Sequence, residues 1–250
     1  MRKTSDHIPN VLYGKYPVFM ALRSRAESFI SIHTSNSRHL REYVAREGIG
    51  LDCGIVEKNN AELSKMLGAS DLNHQGYVAF LRENRKIDFD EFIDEKCSAN
   101  DGRPKLLILD ELTDPHNVGA IVRTAAAFGV NYLIKTKYNS PRDMSVISKA
   151  SAGMSELMNI LEVININRTI EILKKSGYFV LGLCGKSEKN LKDVSHMTNL
   201  CLIVGNEGRG LRSLVRRNCD ALCGIRMKNI AVESLNVSVA AALAIYELWG

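Results

Sequence analysis

Two spacings of apolar residues alternate along the C-terminal three-fifths of this chain. Five short runs, KLLILDEL, NYLIKT, YFVLGLC, LCLIVGN and ALCGIRM, are apolar at nearly every position. Such runs predict strands buried on both faces, as a parallel sheet requires. Between them NVGAIVRTAAAFG, DMSVISKASAG, NRTIEILKKSG and GLRSLVRRN carry helical spacing. Strict alternation of strand and helix predicts a parallel sheet covered on both faces. In such sheets ligands sit beyond the carboxyl ends of strands, so the residues following each strand are where chemistry is expected.

The first 85 residues alternate differently. YPVFMALRSR predicts a helix and SFISIH a strand. NSRHLREYVAREG predicts a helix stopped by Gly48, and LDCGIVE a strand. KNNAELSKMLG predicts a helix stopped by Gly68, and QGYVAFL a strand. Together they predict a small α/β sandwich without a catalytic constellation. Charge separates the two regions. Residues 1–85 hold 12 Lys and Arg against 9 Asp and Glu, residues 86–104 hold 3 against 6, and residues 105–250 hold 18 against 13. The acidic stretch 86–104 ends in Asn-Asp-Gly-Arg-Pro, a run of turn formers, and is expected to be a linker with one short helical turn. Its inverted charge fits either a segment that keeps off RNA or a solvated face.

At 250 residues, 45% hydrophobic and 24% charged, the chain has room for two buried cores. A net charge of +5 admits a polyanionic partner without requiring one. Six cysteines contain no Cys-x-x-Cys pair, and no His cluster has metal spacing, so no metal is expected. Cys219 and Cys223, four apart, would share a helix face as buried thiols. The opening MRKTSDHIPN lacks the apolar core of a signal peptide, and no apolar run is long enough to span a membrane. A reduced, cytoplasmic protein is the expectation.

Three strand ends carry candidate chemistry. After the first, Asp114-Pro115-His116-Asn117 opens a helix bearing Arg123. Asn117 is either a helix cap or a site residue. Arg123 sits in sequence among Val122, Ala125, Ala126 and Phe128, so its charge needs a phosphate, a salt bridge or an opening. After the fourth run comes Gly205-Asn206-Glu207-Gly208-Arg209-Gly210. Its glycines are not in dinucleotide spacing, and Glu207 would repel a pyrophosphate. After the fifth run, a loop through Lys228 and Asn229 leads to a closing helix expected to begin near Ser234. Capping would need Ser234 alone, so Asn236 and Ser238 among Leu235, Val237 and Val239 predict that this helix start lines a polar pocket.

The segments DPHNVGAIVRTAAAFG, LIVGNEGRGL and SLNVSVAAALA, in that order, resemble the SpoU family of RNA ribose 2′-O-methyltransferases. The resemblance covers residues 105–250. More loosely, LYGKYPVFMAL and NHQGYVAF resemble the opening helix and the His-Gln-Gly strand of that family's ribosomal-protein-like RNA-recognition domain. The layout is most similar to members that methylate a guanosine of large-subunit ribosomal RNA. The resemblance implies a trefoil-knotted α/β domain at 105–250, an RNA substrate-binding domain at 1–85, S-adenosylmethionine as cofactor and a homodimer that completes the sites. It implies cofactor contacts at Leu183, Gly185, Gly205, Ile225, Met227 and Leu235. It implies a catalytic group of Asn117, Arg123, Glu207, Ser234 and Asn236. Arg226 stands where the family usually has Pro, and the KNIAVE loop is one residue longer than the family's pattern.

Because DNA lacks a 2′-hydroxyl, RNA is the implied partner. Arg209, Arg212, Arg216 and Arg217 are then candidate backbone contacts, with a solvated helix face as the alternative. Competing functions are transfer-RNA methylation and a non-catalytic RNA-binding assembly factor. A nicotinamide dehydrogenase is disfavoured, because NYLIKT does not end in the acidic residue that would hold a ribose.

Overall fold

The computed structural model describes residues 10–68, 72–82, 87–97, 103–228 and 233–250. The chain divides into two compact units, Met1–Arg85 with Ala152–Leu157, and Lys86–Ser151 with Met158–Gly250.

The first unit runs β1 (Asn10–Tyr13), α1 (Lys15–Arg25), β2 (Phe29–Thr34), α2 (Ser37–Arg46), β3 (Gly54–Glu57), α3 (Asn60–Leu67) and β4 (Tyr77–Leu81). Its sheet has the order β1-β4-β2-β3, with β4 antiparallel to both β1 and β2, and β3 parallel to β2. Leu22, Ile32, Leu40, Tyr43, Ala79 and Leu81 form the main core, while Leu63, Val78 and Tyr13 form a smaller one. Ala79 and Val78 fall in different cores because successive strand residues point to opposite faces. The helix stops behave as expected: Gly48 and Gly68 both take positive φ, at 64° and 67°. Strand β1 is an addition, since Leu12 and Tyr13 were expected to open a helix and that helix begins only at Lys15. In the His-Gln-Gly stretch, the His74 ring accepts from the Gly76 N–H at 3.0 Å and meets Ser64 Oγ at 3.2 Å. Gln75 Oε1 accepts the Lys15 N–H at 3.2 Å, one of the donors left over at the start of α1. In this chain both side chains therefore hold the turn together.

The second unit opens with α4 (Phe89–Phe92), which runs into a π-helical turn over Ile93–Cys97. Phe89, Phe92 and Cys97 are buried in its core with Leu106, Ile108 and Ile134, so this part of the acidic stretch is a packed element rather than a bare linker. Then come β5 (Leu106–Asp110), α5 (Pro115–Ala127), β6 (Tyr132–Thr136), α6 (Met144–Ala150), β7 (Asn159–Val163), α7 (Ile166–Lys175), β8 (Phe179–Leu183), β9 (Leu200–Gly205), α8 (Ser213–Asn218), β10 (Ala221–Cys223) and α9 (Val237–Trp249). All five expected strands are present, and β7 is a sixth. Every pairing is parallel, in the order β10-β8-β9-β5-β6-β7. On one face Leu106, Ile108, Ile134 and Ile203 pack with Ile170, Leu173 and Val215 of α7 and α8. The alternate strand residues, Leu107, Leu109, Leu202 and Val204, are buried too, which leaves the other face to α5, α6 and α9.

Two details bear on the C-terminal end. The outer edge of β10 is not open: Ser187 Oγ donates to Leu222 O at 2.7 Å, and Gly224 N–H donates to Lys189 O at 2.9 Å. The loop that leaves β8 thus covers the far side of β10. Cys219 and Cys223 do not share a helix, because Cys219 follows α8 and Cys223 closes β10. Burial pushes the Cys219 thiol up to about 12, with Asp220 adding to the effect, and it raises Cys223 as well. Among the described residues, no helix is long and apolar enough to cross a membrane.

The contact between α5 and α6 depends on Gly119. A Cβ there would lie 2.4 Å from Ala150 Cβ and 3.0 Å from both the Ala150 carbonyl carbon and the Ser151 nitrogen. Alanine would gain up to about 1 kcal/mol of helix propensity, but overpacking against backbone costs about 1–3 kcal/mol. Gly119→Ala is therefore expected to lower the thermal midpoint by a few degrees. Gly54→Ala, where a Cβ meets nothing within 4 Å, should leave it unchanged. Equal midpoints for the two variants would contradict this packing.

Candidate active site

The order in which strands are added to the sheet reverses between β5 and β9. From β5 the strands step outward through β6 and β7, and then the chain returns to the other side for β8, β9 and β10. The carboxyl ends of β5 and β9 flank that switch point, where a crevice opens in sheets of this kind.

A buried carboxylate ties the two ends together. Asp110, the last residue of β5, is fully buried. It accepts from Arg212 at the backbone N (3.2 Å) and at Nε (2.8 Å), and Arg212 Nη2 lies 2.6 Å from it. Glu111 follows with φ of 56°, and its carboxylate accepts from Arg212 Nη1 at 3.2 Å and Asn139 Nδ2 at 3.1 Å. Its main-chain oxygen accepts from Asn206 Nδ2 at 2.9 Å. Asn206 Oδ1 in turn accepts from the N–H groups of Gly208 and Arg209, and Asn206 and Gly210 exchange backbone hydrogen bonds. The loop after β9 is therefore a closed turn pinned to β5. Gly205 is required at its base, because a Cβ there would lie 2.3 Å from the Gly210 carbonyl carbon.

This turn presents Glu207. Its Oε1 accepts from the Asp114 N–H at 3.3 Å and from Asn117 Nδ2 at 3.4 Å. Asn117 Oδ1 accepts from Asn236 Nδ2 at 3.2 Å. Three candidate residues from three strand ends thus form one hydrogen-bonded chain. Asn117 is free for this because Asp114 caps α5, accepting from the His116 N–H at 2.9 Å. The closing helix begins at Val237 rather than near Ser234, and Asn236 is its cap, accepting from Ser238 N (2.9 Å) and Oγ (2.6 Å). Asn236 therefore serves as cap with its oxygen and as site residue with its amide nitrogen.

The remaining candidates are not drawn into this chain. Ser234 is exposed, two residues before the cap. Arg123 is exposed rather than embedded, and among the described residues it makes no hydrogen bond or ion pair. Its neighbours Val122 and Ala125 point inward while it points out, as residues one and two apart on a helix do. Arg212 is occupied by Asp110 and Glu111, and so is not a free contact for a polyanion. Arg209 lies 3.6 Å from Glu111, whereas Arg216 and Arg217 are exposed. Asn229, and with it the middle of the KNIAVE loop, lies outside the described residues. Among those described, no three His, Cys, Asp or Glu side chains gather as a metal site would require.

The model of the SpoU rRNA Methylase family matches residues 104–246. The chain belongs to that family. A relative in Ralstonia nicotianae, named a 23S rRNA (guanosine-2′-O-)-methyltransferase, is 33% identical over 241 residues, covering 95% of this chain and 94% of its own. The SpoU methyltransferase AviRb from Streptomyces viridochromogenes, solved with AdoMet, shares the fold at a TM-score of 0.75 and 20% identity, over 95% of this chain and 88% of its own. An A. aeolicus TrmH/SpoU tRNA-modifying enzyme, 27% identical with a TM-score of 0.52, covers 58% of this chain and 73% of its own.

The residues expected to contact the cofactor lie at or after the carboxyl ends of β8, β9 and β10. Leu183 ends β8 in register with Cys223, two residues before Ile225, and Gly205 ends β9 beside them. Leu183, Ile225, Met227 and Leu235 are half-buried and uncharged, and a Cβ on Gly185 would meet nothing within 4 Å. Apolar walls with approachable backbone suit an adenosyl group. Asp110, Glu111 and Asn206 escaped the sequence reading. The available signal was the acidic pair Asp110-Glu111 at the end of a strand buried on both faces, since a charge there must be paired.

Removing Arg212 strands a buried carboxylate, a loss toward the lower end of about 3–5 kcal/mol because the guanidinium is partly exposed. Urea unfolding should show Arg212→Met well below wild type and Arg212→Met/Asp110→Asn partly restored. If Arg212→Met is no worse than Arg216→Met, the Asp110 clamp is not the constraint described.

Proposed function

We propose that this chain transfers the methyl group of S-adenosylmethionine to the ribose 2′-hydroxyl of a guanosine in large-subunit ribosomal RNA. The carrying observation is the hydrogen-bonded chain Glu207–Asn117–Asn236 at the sheet's switch point. Leu183, Gly185, Gly205, Ile225, Met227 and Leu235 are the residues assigned to the cofactor, which when bound supplies an electrophilic methyl group on a sulfonium centre. Glu207 Oε1 is occupied by Asp114 and Asn117, so Oε2 is the oxygen that accepts a hydrogen bond from the ribose hydroxyl. Asn117 holds that carboxylate in place, backed by Asn236, and both orient the sugar, a role assigned to Ser234 as well.

Arg123 is assigned to the target's phosphate and to the alkoxide charge that develops on the ribose, as a clamp rather than a base, because a guanidinium keeps its proton. Six residues along α5 set it about 9 Å up the axis and roughly 120° round from Asn117. That places it toward an outer surface, which supports a homodimer in which the partner completes each site. Val239, Leu243 and Tyr246 of α9 form an exposed apolar stripe, 45–63% accessible, and the Tyr246 ring meets Phe128 at the end of α5. The covered outer edge of β10 supports a knotted C-terminal segment, with β10 passing inside the loop that leaves β8.

The first unit is assigned to substrate selection. Relatives named for 23S ribosomal RNA match both units, whereas the tRNA-modifying structure covers 58% of the chain, which favours ribosomal over transfer RNA. DNA offers no 2′-hydroxyl and is excluded as substrate by chemistry. The cytoplasm is the compartment where such RNA is met. The test is to map ribose methylation on large-subunit ribosomal and transfer RNA after incubation with the protein and S-adenosylmethionine. One added methyl on a ribosomal guanosine is expected. Arg123→Ala should still bind cofactor calorimetrically and lose transfer by roughly 100-fold or more. Methylation confined to transfer RNA, or near-normal turnover in Arg123→Ala, would contradict the proposal.

A further inference from the structure

The carboxyl end of β6 carries a turn that the cofactor and ribose assignments leave unused. Tyr138 lies in it, 53% exposed, and among the described residues it makes no hydrogen bond or ring contact. Single exposed aromatics are common on protein surfaces, so exposure alone says little. Here the backbone around the ring is held on both sides. Lys137 N–H donates to Val163 O at 2.9 Å, and Thr136 Oγ1 lies 2.9 Å from Ser140 Oγ. Asn139 takes a left-handed φ of 55°, a conformation Asn tolerates, and its Nδ2 donates to Glu111 Oε1 at 3.1 Å. Glu111 is the same residue that accepts from Arg212 and, through its main-chain oxygen, from Asn206, the neighbour of Glu207. One residue, through its carboxylate and its main-chain oxygen, therefore ties the Tyr138 turn to the Glu207 turn.

Two exposed cations neighbour Tyr138 in the sequence. Lys137 and Arg142 are exposed with no ion pair among the described residues, whereas Lys135 on β6 is buried against Glu162 at 2.8 Å. Asp143, the nearest acid in sequence, is occupied as the cap of α6 by the N–H groups of Ser145 and Val146. An exposed aromatic ring on an anchored turn, with two unpaired cations in the same segment and a tie through Glu111 to the Glu207 turn, has the chemistry of a stacking platform for an unpaired base.

We infer that Tyr138 stacks on a nucleobase flanking the methylated ribose, so that the chain selects RNA in which this base is unpaired. The inference rests on the RNA-directed reading above. Lys137 and Arg142 contact the adjoining phosphates, and Asn139 acts as a positioning residue through Glu111.

The test measures binding of a labelled large-subunit ribosomal RNA fragment by fluorescence anisotropy, together with steady-state methyl transfer, for wild type, Tyr138→Ala and Tyr138→Trp. Alanine should weaken RNA binding and raise KM for RNA by roughly 5- to 150-fold, the range seen when a stacked aromatic is removed. It should leave kcat at saturating RNA and the affinity for S-adenosylmethionine unchanged. Tryptophan should stay within about threefold of wild type, because it keeps the π-face. Binding by Tyr138→Ala within twofold of wild type overturns the inference, as does a Tyr138→Trp as weak as alanine. A shift of Tyr138→Ala toward monomer in sedimentation overturns it too, by assigning the ring to a subunit contact. If wild type binds no ribosomal fragment, both this inference and the functional reading fall; if it binds and only the alanine result fails, the functional reading stands.

Discussion

One buried ion pair fixes the geometry on which the rest of the site depends. Asp110 has no exposure, and an ionised carboxylate in that position is stable only if charge and hydrogen bonds replace its water. Arg212 supplies both, with a backbone N–H and a guanidinium fork on the one carboxylate. Such pairs add little net stability, because desolvation offsets most of the Coulomb gain, but they are sensitive to geometry. In this chain the pair joins the end of β5 to the first residues after the Gly205–Gly210 turn. It thereby sets where Glu207 can stand relative to Asn117.

A second economy lies at the start of α9. A helix beginning beside a polar crevice needs its leading N–H groups satisfied and its side chains available to the ligand. Asn meets both needs because its amide has an accepting oxygen and a donating nitrogen. Asn236 turns the oxygen to Ser238 and the nitrogen to Asn117. Asp114 does the capping for α5, which leaves Asn117 with both amide atoms for the site. The polar residues at these helix starts thus join the caps to the Glu207–Asn117–Asn236 chain, and Ala at either asparagine would remove more than one interaction.

Much of this was legible in the chain itself. Five of the six parallel strands announce themselves as apolar runs, because a strand buried on both faces has no polar alternate positions to obscure it. The sixth, β7, and β1 of the other sheet are edge strands of five and four residues with half-exposed positions, so their pattern blends with neighbouring turns. Asn117, Glu207 and Asn236 were legible because polar residues recur at three strand ends. Of the alternatives its apolar sequence neighbours left for Arg123, the structure shows an opening to solvent. On α5 the apolar residues around it turn to the core and leave it in water. Asp110 and Arg212 lie 102 residues apart, and only the β5–β9 pairing brings them together, a contact no local pattern encodes.

The central claim is that three strand termini form one site between a methyl donor and a ribose. A crystal structure with S-adenosylhomocysteine and a short ribosomal RNA fragment bound tests it most directly. The account predicts the adenosyl group against Leu183, Ile225 and Leu235, and the ribose 2′-oxygen within hydrogen-bond reach of Glu207. A cofactor bound at the other end of the sheet, or a ribose bound with the Glu207–Asn117–Asn236 chain left in open solvent, would contradict it.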